Sequence, residues 1–173
     1  MSFAASDPTG HSAYRFGALA LLMAAAAILI ALAFEHIGGY VPCPLCLEQR
    51  YAYYAGVPLL FLALVFLSAA QPRAAAVLFV IVALAFLANA ALGVYHAGAE
   101  WHFWPGPAEC SGTQTITTNA GNMLEALQRT NVVRCDEAAW RLAGISFAGW
   151  NVLASLLIAL CCFRSASEAL HAR

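Results

Sequence analysis

The stretch CPLCLEQR at residues 43–50 runs directly into the apolar segment Tyr51–Ala70. Two cysteines spaced as Cys43 and Cys46 are typical of redox or metal chemistry. Here the pair lies where a short polar loop meets a hydrophobic run long enough to enter a bilayer as a helix. We therefore expect a dithiol at the edge of a membrane span, between a watery compartment and molecules dissolved in lipid.

The composition also predicts a membrane protein. Of the 173 residues, 62% are hydrophobic and 10% are charged, and the mean hydropathy is +0.74. A soluble domain carries about 25% charged residues. This much apolar surface cannot be buried in a core of this size, so the bilayer must cover it. The net charge of −1 excludes the basic surface that nucleic-acid-binding proteins carry.

Four apolar stretches are each long enough to cross about 30 Å of hydrocarbon as a helix. They lie at about 16–34, 47–70, 74–95 and 142–163. We predict an all-α membrane protein, a four-helix transmembrane bundle that forms a single domain over residues 1–173. A signal peptide is the alternative for the first stretch. Its apolar run exceeds the ~7–15 residues of a signal sequence, so we expect it to remain as a span.

A long loop separates the third and fourth spans, at about 96–140. Its residues Trp101, Phe103 and Trp104 are typical of the aromatic belt at a membrane interface. A short amphipathic helix lying on the membrane is predicted farther along the loop. The apolar residues that indicate it are Met123, Leu124, Leu127, Val132 and Val133.

The distribution of arginine predicts the orientation of the bundle. Four arginines fall on one side of a four-span protein: Arg15, Arg73, Arg164 and Arg173. An excess of basic residues marks the cytoplasmic side, so we expect both termini in the cytoplasm and the 96–140 loop on the opposite, oxidising side. Four cysteines then share the oxidising side: Cys43, Cys46, Cys110 and Cys135.

Local helix chemistry favours a reactive thiol in the C-x-x-C pair. Pro44 suits the first position of a helix because its missing N–H would be unpaired there in any case. Cys43 then caps the helix and Cys46 takes its third position, where backbone N–H groups and the helix dipole favour a thiolate.

Arg50 follows one helical turn after Cys46 and shares its face. Its guanidinium could stabilise a thiolate or polarise a carbonyl oxygen of a lipid-soluble ligand. The alternative is an arginine that extends to the lipid headgroups and pairs with Glu48 or a lipid phosphate. The neighbouring C-x-x-C favours the first interpretation.

Cys110 and Cys135 are predicted to form a second disulfide in the loop. It could brace the loop, or it could exchange with the first pair, which requires only an accessible thiolate and a reachable disulfide. Two pairs on one side favour exchange. A zinc site with His96 or His102 is a less favoured alternative, because zinc sites usually combine two C-x-x-C or Cys/His units.

Other polar or reactive residues within the spans have structural interpretations. Cys161 and Cys162, near the cytoplasmic end of the fourth span, are expected to pack as small apolar side chains. Asn89 and Asn151 lie within the third and fourth spans. We expect both to form hydrogen bonds between helices.

The chain resembles the disulfide bond formation protein B (DsbB) family of bacterial inner-membrane oxidases. The resemblance depends on CPLCLEQR at 43–50, on YHAGAEWHFWPGPAEC at 95–110, and on Cys135 before the last span. It covers the chain from the first span to the fourth.

The resemblance implies an enzyme, a quinone-dependent thiol oxidoreductase of the bacterial inner membrane. A reduced periplasmic oxidase of the DsbA type, with a thioredoxin fold, would attack the Cys110–Cys135 disulfide at Cys110. Electrons would pass to Cys43 and Cys46 and then to ubiquinone or menaquinone. By the same resemblance, Cys46 would contact the quinone and Arg50 would bind its carbonyl oxygen.

Three other functions compete with this one. The vitamin K epoxide reductase-like class also combines four helices with two cysteine pairs, but there the loop pair precedes the C-x-x-C. A relay running in reverse would deliver reducing equivalents outward. A non-enzymatic membrane subunit would use the disulfides only to brace its loop.

Overall fold

The computed structural model describes residues 8–107 and 135–171. Four long helices make up most of this part of the chain: α1 (Pro8–His36), α2 (Pro44–Ser68), α3 (Pro72–Glu100) and α4 (Phe147–His171). Each is long and apolar enough to cross a membrane. The predicted class, an all-α four-helix membrane protein, is confirmed. The predicted amphipathic helix at 123–133 lies outside the described residues.

A small antiparallel hairpin precedes α4, with strands β1 (Arg141–Leu142) and β2 (Ile145–Ser146). Ala143 and Gly144 connect the strands and both have positive φ, 52° and 81°. Two residues of positive φ match the tight turn that the twist of paired strands favours. The helix therefore begins at Phe147, whereas the predicted fourth span begins at 142, because hydropathy does not distinguish a short apolar strand from the first turn of a helix.

The connection between α2 and α3 is a tight turn, as the spacing of the spans requires. Ala70 takes the left-handed conformation (φ 56°), and the N–H groups of Ala70 and Gln71 donate to the carbonyls of Leu67 and Phe66. These two bonds form a Schellman motif, which ends a helix by pairing its last carbonyl groups. Pro72 then begins α3 at a position where its missing N–H is tolerated.

Small residues bring the helices close together. The buried core is rich in alanine, and its largest fully buried side chains include Phe79, Phe86 and Leu60. A Cβ added at Gly17 would lie 2.7 Å from Phe79 Cζ, and one at Gly56 would lie 2.7 Å from Phe86 Cε2. Without a hydrophobic driving force between helices in lipid, such close packing is a main source of association.

Three of the four predicted basic residues, Arg15, Arg73 and Arg164, lie at one end of the bundle, and Arg173 lies outside the described residues. Ser165 of α4 donates a hydrogen bond to the Ala13 carbonyl of α1 (2.6 Å), and Arg164 lies over the ring of Phe16, 5.7 Å from its centroid. Arg73, in the first turn of α3, lines the same cavity as Leu170 of α4. The C-x-x-C pair, at the start of α2, therefore lies at the opposite end of the bundle from these arginines.

Candidate functional site

Cys43 and Cys46 form a disulfide at the N-terminus of α2. Cys43 is the N-cap residue, and its sulfur accepts a hydrogen bond from the backbone N–H of Cys46 (3.1 Å). Pro44 occupies the start of the helix, as the sequence predicts. Cys43 is buried and Cys46 is half-buried, so the two sulfurs lie in different surroundings and only Cys46 is partly accessible.

Cys135 packs beside this disulfide. Cys43, Leu45 and Cys135 form one buried cluster, and Cys46 and Leu92 pack against it. Cys135 is itself disulfide-bonded and is 1% exposed. Its predicted partner, Cys110, lies outside the described residues. The loop cysteine thus contacts the helix pair, which is the proximity that thiol–disulfide exchange requires.

Aromatic rings hold the segment around Cys135 against the bundle. Trp140, Phe147 and Phe34 form a cluster with ring centroids 4.9–5.3 Å apart. Such pairs contribute about 0.5–1.5 kcal/mol each beyond the area that they bury. The cluster joins the end of α1 to the start of α4 and holds the chain that follows Cys135 at the end of the bundle that carries the Cys43–Cys46 disulfide.

Arg50 forms an ion pair with Glu35 near the end of α1. The predicted alternative partner, Glu48, is exposed, and the contact that the structure contains is with Glu35 instead. Arg50 is partly buried, with 12% of its side chain exposed. The sequence interpretation did not single out Glu35. Its position directly after the apolar residues of the first span is the signal that could have identified it.

A chain of polar side chains crosses the bundle just below the cysteines. Tyr53 donates to Asn151 Oδ1 (2.6 Å), Asn151 Nδ2 donates to Gln49 Oε1 (2.7 Å), and Gln49 Nε2 contacts His96 Nδ1 (2.9 Å). Asn89 joins the chain through Asn151 Oδ1 (3.2 Å). The predicted hydrogen bonds between helices at Asn89 and Asn151 are confirmed, and Gln49 and His96 are further members that the sequence did not predict.

His96 lies at the cysteine end of this chain. Its Nε2 is 3.6 Å from Cys43 Sγ and 3.7 Å from Glu100 Oε1. Both His96 and Glu100 are buried. Cys43, Cys46 and His96 have the donor atoms of a zinc site, but the two sulfurs are joined to each other, and zinc binds thiolates.

The remaining predicted features have structural roles. Cys162 is fully buried in the main core and Cys161 packs against it, and neither is disulfide-bonded. Trp104 stacks on Tyr95 and donates its indole N–H to the Tyr95 carbonyl (2.8 Å). Trp101 and Phe103 are exposed at the end of α3, as residues of an interfacial belt would be.

The fold and the site define a multi-pass membrane protein that carries a disulfide at one end of a four-helix bundle. The family model described as "Disulfide bond formation protein DsbB" matches residues 14–164. The chain belongs to this family and is a membrane disulfide bond formation protein.

Three curated relatives are named "Disulfide bond formation protein B". The relative from Marinobacter nauticus is 32% identical over 158 residues, which cover 86% of this chain and 89% of the relative. The relative from Stutzerimonas stutzeri is 29% identical over 155 residues, which cover 83% of this chain and 88% of the relative. The relative from Herminiimonas arsenicoxydans is 30% identical over 139 residues, which cover 77% of this chain and 82% of the relative. No solved structure is significantly similar to the chain.

Proposed function

We propose that this protein is a thiol:quinone oxidoreductase of a bacterial inner membrane. It oxidises the dithiol of a periplasmic DsbA-like partner with a thioredoxin fold and passes the electrons to ubiquinone or menaquinone. Cys110 and Cys135 receive the electrons from the partner, and Cys43 and Cys46 carry them to the quinone. Both chain termini lie in the cytoplasm.

One observation carries the proposal: the Cys43–Cys46 disulfide packs against Cys135 at one end of a membrane bundle. A brace for the loop would need only the second disulfide. Contact between the two cysteine sites allows a thiolate formed at Cys135 to attack the helix disulfide, and each exchange conserves the number of disulfide bonds. Family membership adds support, because the matched relatives are named for disulfide bond formation.

The side chains beside Cys46 fit a quinone. The carbonyl oxygens of a quinone accept hydrogen bonds. The guanidinium of Arg50 has five N–H donors, of which the ion pair to Glu35 uses one on Nη1. Leu47 and Tyr51 are exposed on the same stretch of α2 and offer apolar surface to a ring and tail dissolved in lipid. When bound, a quinone supplies the acceptor for two electrons and two protons.

Turnover by the purified protein tests the proposal. A reduced DsbA-type protein is mixed with a short-chain ubiquinone or with a naphthoquinone, and quinone reduction is followed by absorbance. Cys43→Ser and Cys46→Ser are each expected to abolish the reaction. The matched control, Cys161→Ala with Cys162→Ala, removes two thiols from the other end of the bundle and is expected to retain turnover. Unchanged turnover in either serine variant would refute the proposal.

The redox state in cells separates this function from a structural one. In cells depleted of quinone, thiol alkylation and a gel shift report how many cysteines are reduced. A relay that lacks quinone accumulates reduced cysteines among Cys43, Cys46, Cys110 and Cys135. If these cysteines stay oxidised, the disulfides are braces and the proposed electron transfer is wrong.

A further inference from the structure

The polar chain below the cysteines assigns the hydrogens on His96. Three groups converge on Asn151 Oδ1: Tyr53 Oη at 2.6 Å, Asn89 Nδ2 at 3.2 Å and Ser155 Oγ at 3.5 Å. The side-chain oxygen of Asn151 belongs at this point, because an NH₂ group here would face the NH₂ group of Asn89, and two donors do not bond each other. The NH₂ group of Asn89 also donates to Ser155 Oγ (3.0 Å). Its NH₂ group then faces Gln49.

The orientation of the Asn151 amide fixes that of Gln49, and Gln49 in turn fixes the hydrogen position on His96. Because Asn151 Nδ2 donates to Gln49 Oε1, the NH₂ group of Gln49 faces His96 and donates to Nδ1 at 2.9 Å. A ring nitrogen that accepts a hydrogen bond carries no hydrogen, so the neutral imidazole holds its hydrogen on Nε2. Gln49 and Asn151 therefore fix the tautomer of His96.

Cys43 is the better acceptor for this N–H. A distance of 3.7 Å to Glu100 Oε1 is too long for an N–H···O hydrogen bond. A distance of 3.6 Å to Cys43 Sγ is within reach of the larger sulfur atom. The backbone N–H of Cys46 also points at Cys43 Sγ (3.1 Å). The buried sulfur thus has two N–H donors.

We propose that His96 is a catalytic residue that hydrogen-bonds the Cys43 sulfur and stabilises its thiolate when the pair is reduced. Gln49 and Asn151 are positioning residues, since they act through His96. The proposal rests on the proposed function, in which Cys43 and Cys46 cycle between dithiol and disulfide. It adds that Cys43, when reduced, is ionised at a buried position where a thiolate would otherwise be disfavoured.

The thiolate matters for both halves of the cycle. Reduction breaks the Cys43–Cys46 bond and adds two electrons, which come from the loop cysteines as they form their own disulfide. Reoxidation removes two electrons from the pair as its S–S bond forms. A quinone takes up these electrons with two protons, one from the Cys46 thiol and one from solvent, and leaves as a quinol. Sulfur reacts as the thiolate in each bond exchange, so a donor held on Cys43 speeds both.

The ionisation of Cys43 can be measured without quinone or partner. In a Cys46→Ser background, kept reduced with a phosphine, the rate of iodoacetamide alkylation at Cys43 is followed by mass spectrometry across a range of pH. His96→Leu is expected to move the midpoint of this profile upward by about one pH unit or more, since hydrogen bonds to charged groups are of that strength. Alkylation below the midpoint then slows about tenfold.

Three matched variants separate the hydrogen bond from a packing effect. His96→Gln keeps an N–H donor near the Nε2 position and is expected to restore most of the midpoint. Gln49→Leu frees both tautomers of His96, so its shift is expected to be smaller and in the same direction. Adding His96→Leu to Gln49→Leu is expected to give no more than the His96→Leu shift, because both act through one bond.

Two results would overturn the proposal. The first is a midpoint unchanged in His96→Leu, or, if that variant fails to fold, a midpoint unchanged in Gln49→Leu. The second is an equal shift in Glu100→Gln, which would assign the effect to the charge of Glu100. Quinone reduction is measured separately. If His96→Leu leaves the alkylation midpoint unchanged while the wild-type protein reduces quinone, this inference alone is refuted. If His96→Leu shifts the midpoint but the wild-type protein reduces no quinone, the proposed function alone is refuted.

Discussion

Arg50 of α2, one helical turn after Cys46, forms an ion pair with Glu35 of α1. Both side chains are partly buried, with 12% and 26% exposed, so the pair is shielded from water more than a surface pair. A pair between fully exposed side chains contributes little, whereas this one joins two helices and holds the guanidinium at the cysteine end of α2. It therefore sets where Arg50 can meet a ligand.

Arg50→Ala is expected to raise the quinone KM about tenfold or more, because a charged donor to a carbonyl oxygen is lost. Glu35→Gln keeps an acceptor for Arg50 without its charge and is expected to give a smaller rise. Initial rates of quinone reduction at varied quinone concentration measure both. The KM for the reduced partner protein is the control, and a change confined to that KM would contradict the role of Arg50.

The contact between Gly56 and Phe86 predicts a loss of stability. A Cβ at position 56 would lie 2.7 Å from Phe86 Cε2, and Phe86 is fully buried. Gly56→Ala is therefore expected to destabilise the bundle by about 1–3 kcal/mol, the usual cost of overpacking. Thermal unfolding in detergent measures the effect. In the double variant, Phe86→Leu should relieve part of the stability loss caused by Gly56→Ala. If the two stability losses simply add, the steric cause is contradicted.

The proposed orientation, with both termini in the cytoplasm, predicts opposite labelling of the two ends of the bundle. Arg73 and Phe103 are both exposed and lie in the first turn of α3 and just beyond its last. In a variant without other cysteines, Phe103→Cys is expected to react with a membrane-impermeant maleimide on intact spheroplasts. Arg73→Cys is expected to react only after the membrane is opened. The reverse pattern would place the Cys43–Cys46 end of the bundle in the cytoplasm.

The close contact between Gly98 and Trp104 predicts an effect on the loop. A Cβ at position 98 would clash with the indole of Trp104, so Gly98→Ala must displace this ring from its stack on Tyr95 and from the carbonyl to which it donates. This stack holds the chain that follows α3, and Cys110 comes shortly after Trp104 in the sequence. The variant is therefore expected to slow oxidation of the partner protein. Quinone reduction driven by dithiothreitol serves as the control and should change less.

Much of the fold could be predicted because its signals are local. Hydropathy locates four helices, proline marks the starts of α2 and α3, and arginine marks one end. The start of α4 could not be predicted in this way, because Leu142, Ala143 and Ile145 of the hairpin extend the apolar run of the helix that follows. Of the site, Cys43 and Cys46 were predicted from their spacing alone. The packing of Cys135 against Cys43 was not, because it depends on how the loop folds back.

The amino-acid sequence alone determined the membrane class, the position of the cysteine pair on its helix and the residues that could react. The tertiary structure alone decided which partners those residues have. Arg50 pairs with a residue 15 positions away instead of its neighbour Glu48, and His96 contacts Gln49 and Cys43 from 47 and 53 positions away. The physical reason is that such partners are set by the rotation and depth of one helix against another. That rotation and depth result from packing across the whole bundle.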